Sequence, residues 1–156
     1  MATPDFVLAL REKIGHLTLW LSGVSAVVVR ENGDVLLVRR SDNGAWTPVT
    51  GIIDPGEEPA VAAAREVLEE ASIVAEPVRL VWVHTIPEIV YPNGDRSQYI
   101  DICFLFRYVS GEPFPADGEN TEAAWFAPDA LPPMSDEMSA RLHHALDGVP
   151  EARFEF

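Results

Sequence analysis

The chain alternates apolar runs with short polar breaks, and the period of each run predicts the element it forms. Val7, Leu10 and Ile14 recur at helical spacing within residues 4–14. This predicts a short helix with Thr3 as its cap, Pro4 in its first turn and Gly15 at its end. SAVVVR and DVLLVRR read as strands joined through Asn32-Gly33, a dipeptide that accepts the positive φ values of a tight hairpin. Trp46 to Thr50 reads as a short strand leading into Gly51. VRLVWVHTI and QYIDICFLFRYV are longer β runs separated by Pro92-Asn93-Gly94-Asp95. In the second, Ile100, Ile102, Phe104 and Phe106 recur at period two while Cys103 and Leu105 make the opposite face apolar as well, which predicts a strand covered on both sides. AAWFA is a last short strand, and Ser135 is placed to cap a terminal helix in which Met138, Leu142, Ala145 and Leu146 share a face before Gly148. Strands and helices mixed in this order predict an α/β sandwich.

Composition narrows the class. With 156 residues, of which 47% are hydrophobic, the chain is read as one domain over residues 1–156, with 1–20 an N-terminal helical extension. No apolar run reaches the length of a bilayer crossing, and MATPDFVLALREKIG lacks the basic-then-apolar order of a secretory signal, so the expected location is the cytoplasm. Cys103 is the single cysteine, which excludes an intramolecular disulfide and a thiolate metal cluster; within ICFLF it reads as a small core residue. The balance of 25 acids against 11 Lys and Arg gives a formal charge of −14, the wrong sign for a nucleic-acid polymer or an anionic membrane surface. A small anionic ligand remains compatible if divalent cations stand between it and the carboxylates. His84 and the adjacent His143-His144 lack zinc-site spacing and receive no role.

The segment GIIDPGEEPAVAAAREVLEEASI, Gly51 to Ile73, changes the picture. Glu58 and Pro59 suit a helix start, with Glu57 just before it. At about 100° per residue, Val61, Ala64, Leu68 and Ala71 fall on one side, the expected core face, and Glu66, Glu69 and Glu70 crowd the other. Acids near the C-terminal end of a helix oppose its macrodipole. Arg65 offers Glu69 an i, i+4 pair in the weaker orientation, and Glu66 and Glu70 repel each other at the same spacing. A solvated surface helix and a cation-binding face both accommodate this pattern; hard divalent cations favour such carboxylates. TGIIDPGEE also sets two glycines and three acids where a strand end meets a helix start, a common position for contact with ligand phosphates.

Gly51, five residues, Glu57, seven residues, Arg65-Glu66, apolar Val67, Leu68, Glu69-Glu70, Ala71, Ser72 and apolar Ile73 closely resemble the box of the Nudix hydrolase family. LLVRR with Trp46 before the box and WFAPDALP after it are similar to the family too, so the resemblance covers most of the chain, residues 1–20 least. Ser72 stands where the family has a Gly that ends the helix in a left-handed conformation, a substitution expected to cost on the order of 1 kcal/mol. Thr50 replaces the first member of the usual Gly-Gly pair, whose backbone carbonyl binds metal in relatives; a side-chain change need not abolish that contact.

The resemblance implies a Nudix-like α/β/α sandwich with a mixed sheet, and hydrolysis of a phosphoanhydride in a nucleoside diphosphate linked to another group, of the ADP-ribose, dinucleotide or sugar-nucleotide type. It implies Mg²⁺ as cofactor, with Mn²⁺ a candidate substitute. Glu66 and Glu70 are the leading metal ligands, Glu69 a ligand or proton acceptor, Glu57 and the Thr50 and Gly51 backbone further metal contacts, and Arg65 an orienting group. Glu119 and Glu122, in GENTEAAWF, occupy the loop where relatives often carry an additional acid that serves as base. Arg39 and Arg40 end a strand facing the box and are candidates for phosphate contact, and Trp46, Tyr91 and Tyr99 for stacking on a base. The partner is a small nucleotide, with a homodimer a candidate assembly because relatives often dimerise. Three alternatives stay open: a hydrolase of modified nucleoside triphosphates, a non-catalytic nucleotide-sensing domain, which has no need of the full acid set, and a diphosphate isomerase relative, which needs a reactive cysteine that Cys103 makes poorly.

Overall fold

The computed structural model describes residues 3–156. Its elements are α1 (Asp5–Ile14), β1 (Leu19–Val29), β2 (Val35–Arg40), β3 (Trp46–Thr47), β4 (Val49–Ile52), α2 (Pro59–Ala71), β5 (Val74–Val90), β6 (Arg96–Ser110), β7 (Asn120–Phe126), α3 (Asp136–Leu146) and β8 (Arg153–Phe154). They form an α/β/α sandwich around one mixed sheet of order β3-β2-β1-β6-β5-β8, with β4 paired to β1 and β7 to β2. β1 runs parallel to β6 from Leu19↔Ser97 to Val29↔Arg107. Its other edge is shared: β4 pairs antiparallel from Gly23↔Ile52 to Ala26↔Val49, and β2 meets it at Val29↔Val35. Two strands diverging from one edge leave a cleft between them.

Several local expectations are met for the expected reasons. Gly33 takes φ 90° in the turn between β1 and β2, closed by its N–H to the Arg30 carbonyl at 2.9 Å. Ser135 accepts from the Met138 N–H at 3.3 Å and so caps α3, a contact that typically contributes about 1 kcal/mol. β6 is covered on both sides: Phe104 and Phe106 pack with Val24, Val28 and Val67 under α2, while Cys103 and Leu105 pack with Val27, Val81 and Leu142 under α3. Cys103 is wholly buried, and that burial pushes its thiol up to about 12, which makes it core and not a nucleophile.

Other expectations are corrected. α1 begins at Asp5 with Pro4 at its cap position, and no side chain caps it, so Thr3 does not serve. Its buried residue is Val7, packed on Leu19 and Leu21, whereas Leu10 faces solvent. The strand over Trp46 to Thr50 is interrupted at Pro48, which has no N–H for a ladder. β8 was not foreseen; it is held parallel to β5 at Trp82↔Arg153 and Val83↔Phe154. α3 is further anchored by a buried charge cluster in which Asp101 accepts from Ser25 Oγ at 2.8 Å and Arg141 Nε at 3.0 Å. Both members of that ion pair lie within a few per cent of full burial, where hydrogen-bonded pairing offsets the desolvation cost.

Candidate active site

The largest correction concerns α2, whose acids are not opposed to its core face. Val61 and Leu68 are 58% and 52% exposed, while Ala62, Ala63, Glu66, Val67, Glu70 and Ala71 are buried. Small alanines let the helix approach the sheet closely, and the same approach draws the adjoining Glu66 and Glu70 stripe inward. The helix starts at Pro59 after Glu58, as the sequence predicts, and ends at Ser72 with φ 57° and ψ 29°. Ser72 is the one non-glycine residue with positive φ among the described residues.

Glu66 is seated against the β4 backbone. A β-carbon on Gly51 would lie 2.3 Å from Glu66 Cγ, Cδ and Oε1, so the carboxylate occupies space that only a glycine leaves open. Arg65 organises the acids around it: Nε and Nη2 donate to the two oxygens of Glu57, each at 2.9 Å, and Nη1 donates to Glu66 Oε1 at 3.0 Å and Glu69 Oε2 at 3.2 Å. Nη2 also reaches the Ile52 carbonyl at 3.3 Å. The hydrogen bond to Glu57, with smaller contributions from Glu66, raises the Arg65 pKa, and its guanidinium in turn holds Glu57 below the usual carboxylate range. A planar fork with this many donors suits the arrangement.

Glu70 is treated differently. Its Oε2 accepts from Asn120 Nδ2 at 3.1 Å, and among the described residues no ion pair reaches it. Burial pushes both Glu66 and Glu70 up to about 7; Arg65 partly opposes this at Glu66, and Asn120 at Glu70. Glu66 thus shares one guanidinium with two other acids, and Glu70 is met by a neutral amide, both in a poorly solvated site.

The cleft is open, about 760 Å³, and is lined by Arg40, Asp42, Thr50, Arg65, Glu66, Glu69, Glu70, Asp117, Glu119 and Asn120 among others. Carboxylate oxygens of Glu70, Asp117 and Glu119 lie within 4.8 Å of one another. The box acids Glu66, Glu69 and Glu70, with Thr50, Arg65, Glu119 and Arg40, therefore converge on one cleft, next to Gly51 and Glu57. Arg40 is bidentate to Asp42, at 2.9 and 2.5 Å. Arg39, Glu122, Trp46, Tyr91 and Tyr99 lie outside the lining: Arg39 pairs with Glu122 Oε1 at 2.7 Å, and Trp46 packs edge-to-face on Phe126 with centroids 4.9 Å apart. Tyr91 and Tyr99 are joined through their hydroxyls at 2.9 Å. Asp42, Asp117 and Asn120 were not singled out from sequence, because their placement depends on loops whose partners are distant in the chain.

The donor set tests well against a divalent cation. Glu66 and Glu70 offer hard carboxylate oxygens on adjacent helical turns, their burial penalises the uncompensated anion, and Gly51 clears the approach. Hard oxygen ligands of this kind suit Mg²⁺ or Mn²⁺.

A family model for the NUDIX domain matches residues 20–146. A MutT-like protein of Streptomyces ambofaciens is 36% identical over 128 residues, 81% of this chain and 77% of that protein. The NAD-capped RNA hydrolase NudC of Pseudomonas aeruginosa is 30% identical over 122 residues, 76% of this chain but 41% of NudC, so the chain spans less than half of that relative's length. The crystal structure of an ADP-ribose pyrophosphatase from Streptococcus suis shares the fold with a TM-score of 0.66 at 25% identity, over 86% of this chain and 98% of that one. No helix of the described residues is long and apolar enough to cross a membrane.

Proposed function

The chain belongs to the Nudix hydrolase family, and from that premise we propose that it hydrolyses the diphosphate linkage of a small nucleoside diphosphate derivative with the help of Mg²⁺. The observation that carries this reading is the pair of buried carboxylates, Glu66 and Glu70, the first sharing Arg65 with Glu57 and Glu69 and the second met by the neutral amide of Asn120, so that their burial is costly without further positive charge. Glu66 and Glu70 would be its principal ligands, with Glu57, Glu69, Glu119, Asp117 and the Thr50 and Gly51 backbone as further donors. What bound divalent cations supply is neutralisation of diphosphate charge and a lowered pKa for water.

The protein's own groups do the rest. Arg65 fixes Glu57, Glu66 and Glu69 relative to one another and has its donors committed to them, so it orients and does not meet substrate. Arg40 reaches a substrate phosphate by leaving Asp42; both side chains of that pair are about half exposed, so breaking it costs little. Glu69 or Glu119 takes the proton of the attacking water, a step that contributes about 10²- to 10⁴-fold. Glu122 is engaged by Arg39 outside the cleft and is the weakest of the three base candidates.

Substrate size follows from charge. The relative NudC acts on NAD-capped RNA, and the neighbouring fold on ADP-ribose; both contain a nucleoside joined through diphosphate to a second group. At −14, this chain would repel an RNA body, which favours the small compounds. Modified nucleoside triphosphates are the second reading, supported by a putative 8-oxo-dGTP diphosphatase of Bacillus subtilis that is 30% identical over 115 residues. Incubation with ADP-ribose, dinucleotides, sugar nucleotides and triphosphates in Mg²⁺, with products identified by mass, separates them. AMP and ribose 5-phosphate from ADP-ribose, or the matching pair of monophosphates from another diphosphate, is the expected outcome. Turnover confined to triphosphates, releasing pyrophosphate, would replace this reading with the second.

A further inference from the structure

We infer that Asn120 is a positioning residue that sets the carboxylate of Glu70 for cation binding; this rests on the metal-dependent reading above. Asn120 is 6% exposed and its Nδ2 donates to Glu70 Oε2 at 3.1 Å, joining the first residue of β7 to the last turn of α2.

The chain places it there through an irregularity. β7 pairs with β2 in step from Val35↔Phe126 to Arg39↔Glu122, and then slips, so that Arg40 faces Asn120 and Thr121 is the extra residue. Such a bulge re-aims the side chains on either side of it. Glu122 consequently meets Arg39 outside the cleft, and Asn120 turns into it. The position is held: the Thr121 hydroxyl donates to the Arg39 carbonyl at 3.3 Å, and the Ser41 N–H and hydroxyl donate to the Glu119 carbonyl at 2.9 and 2.7 Å.

The chemistry of an amide suits the task. A Lys or Arg here would cancel the charge of Glu70 and compete with a divalent ion. Asn donates one hydrogen bond, occupies Oε2, leaves Oε1 available to a ligand and keeps the carboxylate's charge uncancelled. Groups that hold a metal ligand in this way typically change metal affinity or activity about 10- to 100-fold when removed.

The experiment compares Asn120→Leu, similar in shape but without a donor, with Asn120→Ser, which keeps a short donor. The first readout is the Mg²⁺ concentration that half-saturates the rise in Tm of substrate-free protein; the second is kcat and KM at saturating Mg²⁺. Asn120→Leu is expected to raise the Mg²⁺ midpoint about tenfold or more, Asn120→Ser to recover part of the loss, and KM at saturating Mg²⁺ to stay within about twofold. If Asn120→Leu does not fold, Asn120→Ala takes its place against Asn120→Ser. A donor-free variant with the wild-type Mg²⁺ midpoint overturns the positioning role alone; wild-type protein whose Tm does not respond to Mg²⁺ overturns the metal reading with it.

Discussion

Gly51 and Glu66 share one space: a β-carbon on the glycine would lie 2.3 Å from three atoms of the glutamate side chain. The φ of Gly51 is not in the left-handed region, so the requirement is for room and not for backbone freedom. Gly51→Ala is therefore expected to push Glu66 out of the position that Arg65 and the β4 backbone define, and to lower kcat by about 10², the cost of a displacement near 1 Å at a reacting centre. Steady-state kinetics over a range of Mg²⁺ concentrations check this. A variant with wild-type kcat would show that Glu66 does not need its seat against β4.

Burial also predicts how stability responds to pH. Glu66 and Glu70 are held at about 7 in the fold, against an ordinary value of 4.5. The folded state binds these protons more tightly than the unfolded state, so their contribution is complete below pH 4.5, falls as pH rises through 7 and is absent above it. The metal-free protein is expected to melt at a temperature roughly 5–10 °C lower at pH 8 than at pH 5, for a difference of a few kcal/mol. Saturating Mg²⁺ at pH 8 should recover most of that loss by binding only the folded state. Calorimetric scans in EDTA and in Mg²⁺ at both pH values measure both effects; a metal-free Tm that rises with pH contradicts the assignment of these carboxyls.

How much of this was legible in the chain depends on how local each signal is. The Asn32-Gly33 turn, the Ser135 cap and the Pro59 start of α2 are set by neighbouring backbone chemistry, and the sequence shows them; the left-handed Ser72 is expected only through the resemblance, which has a Gly there. The convergence of Glu66, Glu69 and Glu70 follows from helical period alone. Which way that face points does not: Val61 and Leu68 carry the hydrophobicity that predicts a core side, yet small Ala62 and Ala63 let the helix pack on its other face. Asn120 owes its direction to a register slip against β2, and β8 exists only through pairing with β5. Neither leaves a periodic trace.

Ser72 offers a test of local strain. Its left-handed backbone costs on the order of 1–2 kcal/mol in a non-glycine residue, partly offset by its hydroxyl bond to the Phe114 carbonyl at 3.2 Å. Ser72→Gly removes the strain, loses that bond and adds freedom to the unfolded chain. The net expectation is a gain of up to about 1 kcal/mol in stability with unchanged kcat, since α2 keeps its acids in place. Denaturant unfolding read against activity checks it; a loss of stability would mean that the hydroxyl bond outweighs the backbone strain.

The last expectation joins stability to catalysis at Glu70. A Gln there keeps the shape and can still accept from Asn120, but it carries no charge into a site that is 5% exposed. Removing a buried anion that no ion pair reaches among the described residues should stabilise metal-free protein by on the order of 1–3 kcal/mol at pH 8 and have little effect at pH 5, where the native carboxyl is already protonated. The same change removes a principal cation ligand, so Glu70→Gln should abolish turnover and blunt the rise in Tm with Mg²⁺ while leaving the fold intact. A functional site that is stabilised by its own inactivation is the signature of a residue retained for chemistry. Circular dichroism, Tm at both pH values and product analysis decide it together: near-wild-type turnover removes Glu70 from the catalytic assignment, and a Tm at pH 8 below that of wild type shows that Glu70 contributes to the fold itself.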